Sequence, residues 1–342
     1  MLSKLIFIAT VFFSFLTAYS QSDDGSKVFT KLINVNNKIY MLQGEGGNIG
    51  LSFGDDGVFM IDDQFAKNIE QVQKDINKVS NKPVEFLINT HFHEDHISGN
   101  AAMAKTGTVI ISHENVRTRL LNIIAENTKR IPEETLPIVT FSEDLTFHYN
   151  GEKIFVFHVH NAHTDGDAMI YFMDSNVLHA GDVFFNGKYP FIDLENGGSL
   201  KGYIEGIEKA LLVINEDTKI IPGHGNVGTY RDFQKTADML SIVYKRVTMN
   251  YINKKTEDEV AKMTDLTQEY DNQGFGNGYI KRDAFLRMIY KEVAKERSPI
   301  DKNAEKNQQA REKLEKMKEQ GKKQNTSPSK PTQKVKGSND GK

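Results

Sequence analysis

The sequence predicts an α/β protein whose strands form two packed β-sheets, and three observations carry that expectation. Residues 28–62 break into short β-rich runs between turn signals. Residues 66–125 alternate helical and strand periodicity. A second β-rich half opens near Phe141.

Taken in order, Val28–Ile33, Ile39–Leu42 after Asn36-Asn37, Ile49–Phe53, and Val58–Ile61 after Gly54-Asp55-Asp56-Gly57 read as an antiparallel meander. Ala66–Val79 sets Ile69, Val72 and Ile76 on one helical face, and Val84–Asn89, apolar apart from Glu85 and the closing Asn89, reads as a buried strand. A helix starting at Ala101, a strand Thr108–Ser112 and a helix Glu114–Ala125 continue the alternation of an α/β layer. Pro132 and Pro137 bracket a polar loop. In the second half, Asn150-Gly151 between Leu145–His148 and Ile154–Val159 is a strong hairpin signal, because both residue types tolerate positive φ. Ala168–Phe172 and Val177–Ala180 pair around Asp174-Ser175-Asn176. Ser199 is suited to cap a helix carrying Leu200, Tyr203, Ile204, Ile207 and Leu211, and Thr229 a longer one carrying Phe233, Leu240, Val243 and Val247. Between these helices lies a last short strand, Lys219-Ile220-Ile221. After Asn253 the chain is polar and helical, with Phe285, Met288, Ile289 and Val293 able to dock on a core.

The two ends differ from the rest. Residues 1–20 have the make-up of a cleavable signal peptide: Lys4, the apolar stretch Leu5–Leu16, and Ala18-Tyr19-Ser20 before Gln21. A periplasmic or secreted protein is therefore expected. No stable membrane insertion is expected after cleavage, since no later segment approaches the roughly eighteen apolar residues of a spanning helix. Residues 298–342 are expected to be a polar, disordered tail: Asp301–Gln320 offers at most a solvated helix held by Glu/Lys pairs such as Glu312 and Lys316, and Gly321–Lys342, made mostly of Lys, Ser, Pro, Asn and Gly, has too little apolar surface to offset the entropy of ordering.

Composition narrows the chemistry. The hydrophobic fraction of 38% in 342 residues suffices for a core. A net charge of −3, with no basic stripe, argues against a nucleic-acid partner and leaves small molecules as the expected ligands. With no cysteine there is no disulfide, no lipoprotein anchor and no sulfur ligand, so any metal must be held by nitrogen and oxygen.

The stretch Thr90-His91-Phe92-His93-Glu94-Asp95-His96 packs three imidazoles and an aspartate into a loop directly after the Val84–Asn89 run. Neutral imidazole and carboxylate are zinc ligands, and His91 and His93, spaced by two, can converge where a strand ends. Three further apolar β runs also end in a candidate ligand: His163 after Phe155–Val159, Asp182 after Val177–Gly181, and His224 after Ile220-Ile221-Pro222-Gly223. Strand ends of open α/β sheets are where ligands gather. His160 competes with His163, which is preferred because it sits in the loop. His158 and His179 read as core histidines, and His113 and His148 as surface residues. Asp62 reads on its own as an ordinary turn residue, and Glu94 is left without a role.

The run H-x-H-x-D-H at 91–96 resembles the signature of the metallo-β-lactamase superfamily. The resemblance implies a four-layer αββα sandwich of two mixed β-sheets flanked by helices, with a catalytic domain at 28–250 and a helical extension at 251–297. His91, His93 and His163 resemble the imidazoles of the first metal site. His163-Thr164-Asp165-Gly166 is similar to the family's G-H-T-x-G loop, although Asn161-Ala162 stands where the family commonly has Pro-Gly. Asp95, His96 and His224, the last within Pro222-Gly223-His224-Gly225, resemble the second site. Asp182 resembles the bridging carboxylate of the glyoxalase II and lactonase branches. Asp62 is similar to a family aspartate beside the metal loop, a likeness that implies a support for the histidine loop equally with the turn reading.

What the resemblance implies is an exported hydrolase with two Zn2+ ions, in which a metal-bound hydroxide attacks a carbonyl carbon and Asp95 orients it. β-Lactam ring opening is the first expectation, and lactone, ester or thioester hydrolysis the second. A phosphodiesterase and a non-catalytic zinc-binding protein stand behind them. Aspartate at 182, where the best-known β-lactamase subclass has cysteine, weighs against β-lactam specificity. Phe184–Phe191 follows Asp182 directly, so Lys188 and Tyr189 are expected to touch substrate, Lys188 through a carboxylate.

Overall fold

The computed structural model of the chain describes residues 29–126 and 131–298; the segment 1–20 expected to be a signal peptide and the tail expected beyond residue 298 lie outside the described residues. The chain divides into two compact units. The first comprises described residues 29–158 with Ala168–Gly181 and Asp217–Gly228, and the second comprises Val159–Asp167, Asp182–Glu216 and residues 229–298.

In the first unit, β1 (Lys31–Asn36), β2 (Ile39–Gln43), β3 (Ile49–Phe53), β4 (Val58–Ile61), β5 (Val84–Asn89), β6 (Val109–His113) and β7 (Val139–Phe141) form a seven-stranded sheet in sequential order. The pairings from β1 to β4 are antiparallel, as the meander predicts. From β4 to β7 they are parallel, because helices carry the chain back between strands. These helices are α1 (Ile69–Ile76), α2 (Glu94–Ile97), α3 (Asn100–Lys105) and α4 (Glu114–Ala125). The second sheet contains β8 (Asp144–Tyr149), β9 (Glu152–His158), β10 (Ala168–Phe172), β11 (Val177–His179), β12 (Lys219–Ile221) and the short edge strand β13 (Gly228–Thr229), in the order β13-β12-β11-β10-β9-β8. It too is mixed, since β11 and β12 run parallel.

Alternation along each strand explains the layers. Phe59 and Ile61 of β4 point with Met41, Ile88 and Ile111 into a core closed from the other side by Val156, Ile170 and Phe172 of the second sheet. Val58 and Met60 point the opposite way and pack with Leu87 and Ile110 against Val72 and Ile76 of α1 and Met103 of α3. Both faces of the first sheet are thus covered, which is why β3, β4 and β5 read as apolar runs rather than as alternating sequences. Phe59 anchors the inner layer, its ring edge-on to Phe147 at 5.1 Å and Phe172 at 6.2 Å.

The second unit is mainly helical. Helix α5 (Leu200–Val213) is capped by Ser199, which accepts from the Gly202 amide, and α6 (Tyr230–Ile252) starts in a Thr229–Asp232 capping box. Two short helices, α7 (Glu257–Ala261) and α8 (Gln268–Asp271), precede α9, which spans described residues 282–298. Gly202 and Gly206 let α5 lie against the segment before His163. A Cβ at Gly202 would stand 2.1 Å from the Asn161 carbonyl oxygen, and one at Gly206 2.2 Å from Val159 Cγ1. Among the described residues no helix is long and apolar enough to cross a membrane.

Asn150 and Gly151 turn the β8–β9 hairpin with φ of 56° and 71°, as that dipeptide predicts. The buried Asn150 side chain also ties the two sheets together. Its amide donates to the Ser52 and Gly57 carbonyls at 3.3 and 3.1 Å, and its oxygen accepts from the Asp56 amide at 3.1 Å. Asn150→Ala leaves those groups unpaired at a positive-φ position and is expected to cost about 2–4 kcal/mol. The check is a lowered urea midpoint with an unchanged m-value.

Candidate metal centre

Strand β5 delivers Thr90 and then the histidine loop, and one aspartate holds both. Asp62, buried at the end of the neighbouring strand β4, adopts a left-handed φ of 59°. Its Oδ1 accepts the Thr90 amide at 2.7 Å, while its Oδ2 accepts the Thr90 hydroxyl and His96 Nδ1, each at 2.7 Å. The Thr90 hydroxyl gives its one hydrogen to Asp62, so at 3.0 Å it can only accept from His91 Nδ1–H. Both imidazoles therefore keep Nε2 as the nitrogen with a lone pair. His91 Nε2 and His93 Nδ1 lie 3.1 Å apart, the spacing of two donors that converge on one point. Asp62 is thus a support for the histidine loop and not an ordinary turn residue.

After His93 the chain makes one helical turn, α2, that swings Asp95 and His96 to a second point. Donor atoms of Asp95, His96 and His224 all lie within 4.8 Å of one another. Asp95 Oδ2 is 3.2 Å from His224 Nε2 and 3.6 Å from His96 Nε2. The His96 side chain is fully buried, whereas Asp95 and His224 retain 27% and 32% of their side-chain exposure, so solvent reaches this group from one side. His224 arrives from the end of β12, where the Gly223 amide donates to the Gly181 carbonyl at 2.7 Å. Gly181 has φ of +52°, and a Cβ there would stand 2.8 Å from Thr90 Cβ. The ends of β5, β11 and β12 consequently meet at one rim of the first unit.

The other two candidates, His163 and Asp182, belong to the second unit and stand together, His163 Nε2 lying 3.5 Å from Asp182 Oδ2. His163 Nδ1 donates to the Phe191 carbonyl at 2.9 Å, which again directs the Nε2 lone pair outward from that bond. The His163 carbonyl accepts the Asp193 amide at 2.9 Å. Next to it, Asp167 accepts the Thr164 amide and hydroxyl at 2.8 and 2.6 Å, and its complete burial pushes its carboxyl up to about 8. Tyr203 donates to the Asp182 carbonyl at 2.9 Å from helix α5. Thr90, Asp167 and Phe191 escaped sequence reasoning. A threonine, an aspartate in a loop and a backbone carbonyl carry no signal of their own.

The remaining histidines sort by burial. His160 and His148 are exposed, and His179 is buried with Nε2 donating to the Asn48 carbonyl at 3.0 Å. His113 corrects the surface expectation. It is buried, stacked on His158 with ring centres 3.8 Å apart, its Nδ1 accepting the Asn115 amide at the start of α4 and its Nε2 donating to the Ser142 carbonyl. Lys188 is half-buried, with Nζ 3.3 Å from the Gly274 carbonyl. Tyr189 is buried and stacked on Phe285 at 4.2 Å, and it donates to Asp271 at 2.8 Å. These are contacts to the C-terminal helical segment.

A family model described as the metallo-beta-lactamase superfamily matches residues 43–224, more than half of the chain. The chain belongs to the metallo-β-lactamase superfamily. Among curated members, a hydroxyacylglutathione hydrolase of Pelagibacter ubique is 27% identical over 169 residues, 48% of this chain and 60% of that protein. The probable metallo-hydrolase YqgX of Bacillus subtilis is 26% identical over 149 residues, 42% of this chain and 69% of its own length. Among solved members of this fold, a metallo-beta-lactamase from Pontibacter korlensis superposes with a TM-score of 0.54 at 19% identity, covering 62% of this chain and 99% of its own. A double mutant of the sec-alkyl sulfatase PisA1 gives 0.62 at 18%, covering 76% and 50%. The shared fold is the α/β class read from the sequence, two mixed β-sheets flanked by helices.

A superfamily hydrolase with this donor chemistry fits a metal. Every candidate ligand is imidazole or carboxylate, and His91, His96 and His163 each have the other ring nitrogen committed to a neighbour, as zinc-binding histidines do. Asp62→Ala removes the acceptor shared by Thr90 and His96 and is expected to weaken zinc affinity about 10–100-fold. Competition against a chromophoric chelator measures it.

Proposed function

We propose that the chain is a binuclear zinc hydrolase acting on an acyl carbonyl compound, with thioesters, esters and lactones ahead of β-lactams. The observation that carries the reading is the Asp95, His96 and His224 donor group, held within 4.8 Å on a rigid strand rim and open to solvent on one side. In this reading His91, His93 and His163 would hold one ion and Asp95, His96 and His224 the other, with Asp182 a carboxylate that would serve the same centre. Zinc, when bound, lowers the pKa of coordinated water to about 7 and polarises a carbonyl oxygen.

The chain's own residues do the rest. Asp95, part-exposed beside His224, orients the attacking water and accepts its proton. His96, fully buried and fixed by Asp62, holds the donor group in register with the loop. The order of substrates follows from Asp182, a carboxylate where the β-lactamase subclass uses cysteine, and from the hydroxyacylglutathione hydrolase among the relatives. Export through residues 1–20 belongs to the same proposal; a periplasmic or secreted form beginning at Gln21 would be read by N-terminal sequencing.

Zinc-loaded protein is expected to hydrolyse acyl thioesters, lactones or aryl esters faster than nitrocefin, to lose activity to a chelator and to regain it with zinc. Asp95→Asn keeps the size of the side chain and removes its basicity, so kcat should fall about 10²–10⁴-fold. Turnover that survives unchanged in both Asp95→Asn and Asp182→Ala would remove the reading.

A further inference from the structure

The loop between β2 and β3, Gly44-Glu45-Gly46-Gly47-Asn48, supplies no candidate ligand, yet it touches the segments that supply three of them. The Gly47 amide donates to the Asp95 carbonyl at 2.9 Å. Its Cα lies so close to the His96 ring that a Cβ would stand 2.1 Å from Cε1 and 2.4 Å from Nε2. A Cβ on Gly46 would likewise stand 2.8 Å from the Asp95 carbonyl oxygen. One residue later the loop turns to the other side of the donor group. Asn48 is 2% exposed, and its backbone amide donates to the Gly223 carbonyl at 2.7 Å. Its side-chain amide donates to the Pro222 and Gly225 carbonyls, both at 2.9 Å. Three carbonyls flanking His224, those of Pro222, Gly223 and Gly225, are therefore bound by one asparagine. Gln43 adds a fourth contact to the Gly225 carbonyl at 3.2 Å. Behind Asn48, its own carbonyl accepts His179 Nε2, which keeps the asparagine from shifting.

We infer that Asn48, together with Gly47, is a positioning residue for the Asp95, His96 and His224 group. Gly47 seats the His96 ring by leaving it room, and Asn48 fixes where the His224 loop stands relative to it. The inference rests on the reading that this group holds a metal ion. Neither residue is among the candidate donors. They act by holding two ligand-bearing loops, far apart in sequence, at one spacing, and a ligand set loosened in this way loses affinity about 10–100-fold. Alanine at 48 keeps the backbone amide bond but leaves the buried Pro222 carbonyl without its donor and the Gly225 carbonyl with Gln43 alone, so the Pro222–Gly225 loop is freed on one side.

The test uses the full-length protein, stripped of metal and titrated with zinc against a chromophoric chelator, with stoichiometry read by native mass spectrometry. His224→Ala is the reference for loss of one equivalent. Asn150→Ala is the control for a fold weakened away from the centre. Asn48→Ala is expected to weaken one zinc equivalent about 10–100-fold and to leave the other as in the native chain. Gly47→Ala should share that pattern and decides the matter if Asn48→Ala does not fold. Asn150→Ala should lose stability while binding both equivalents. Asn48→Ala and Gly47→Ala that retain both affinities, or that weaken both alike, overturn the inference while native zinc uptake and its loss in His224→Ala uphold the metal reading. A native chain that takes up no zinc overturns that reading, and this inference with it.

Discussion

The rim of the first unit depends on the three hydrogen bonds accepted by Asp62. A carboxylate with no exposure is costly to bury, and it is tolerated here because a backbone amide, a hydroxyl and an imidazole N–H all point at it. The same three bonds fix the start of the histidine loop, the tautomer of His96 and, through Thr90, that of His91. Strand geometry brings the donors near one another, and Asp62 decides which nitrogen each presents. The unusual φ of this aspartate is held by the same bonds that make it useful.

Burial divides the work among the donors. His91, His96 and His163 are enclosed, each tied by its second nitrogen to an oxygen of the protein. Asp95 and His224 remain part-exposed. The enclosed imidazoles are thereby fixed in orientation, while the part-exposed pair in the first unit is the one solvent reaches. The backbone does much of the enclosing. The Phe191 carbonyl and the Asp193 amide grip His163, and Gly181 lets β11 approach Thr90 more closely than a side chain would permit.

Much of this was legible in the sequence because the governing signals are local. The meander, the Asn150-Gly151 turn and the caps at Ser199 and Thr229 follow from φ preference and hydrogen bonds within a few residues. The candidate metal loop stood out by its density of imidazoles. What escaped depends on partners distant in the chain. His113 looked like a polar residue at a strand end, but His158 stacks on it and the first turn of α4 uses its lone pair. The hairpin role of Asn150 was plain, whereas its bonds to Ser52 and Gly57 require the two sheets to be packed first. Tyr189 was read from its neighbourhood to Asp182, and its ring lies instead against Phe285, nearly a hundred residues away by the sequence numbering. Gly47 and Asn48 carried no signal, because close approach to His96 leaves no mark on composition.

Strand β4 is buried on both faces, with Phe59 and Ile61 in one core and Val58 and Met60 in the other. A strand that presents polar residues to one side resists sliding along its neighbour, since a one-residue slip would carry them inside. Here sliding by one residue exchanges apolar side chains for apolar side chains, and the hydrophobic pattern is indifferent to it. What distinguishes the native alignment of β4 with β5 is the polar latch beyond their ends, where Asp62 meets Thr90. The end of the sheet that carries the histidine loop thereby serves as its alignment mark, so the atoms that orient His91 and His96 are also the ones that distinguish correct strand pairing.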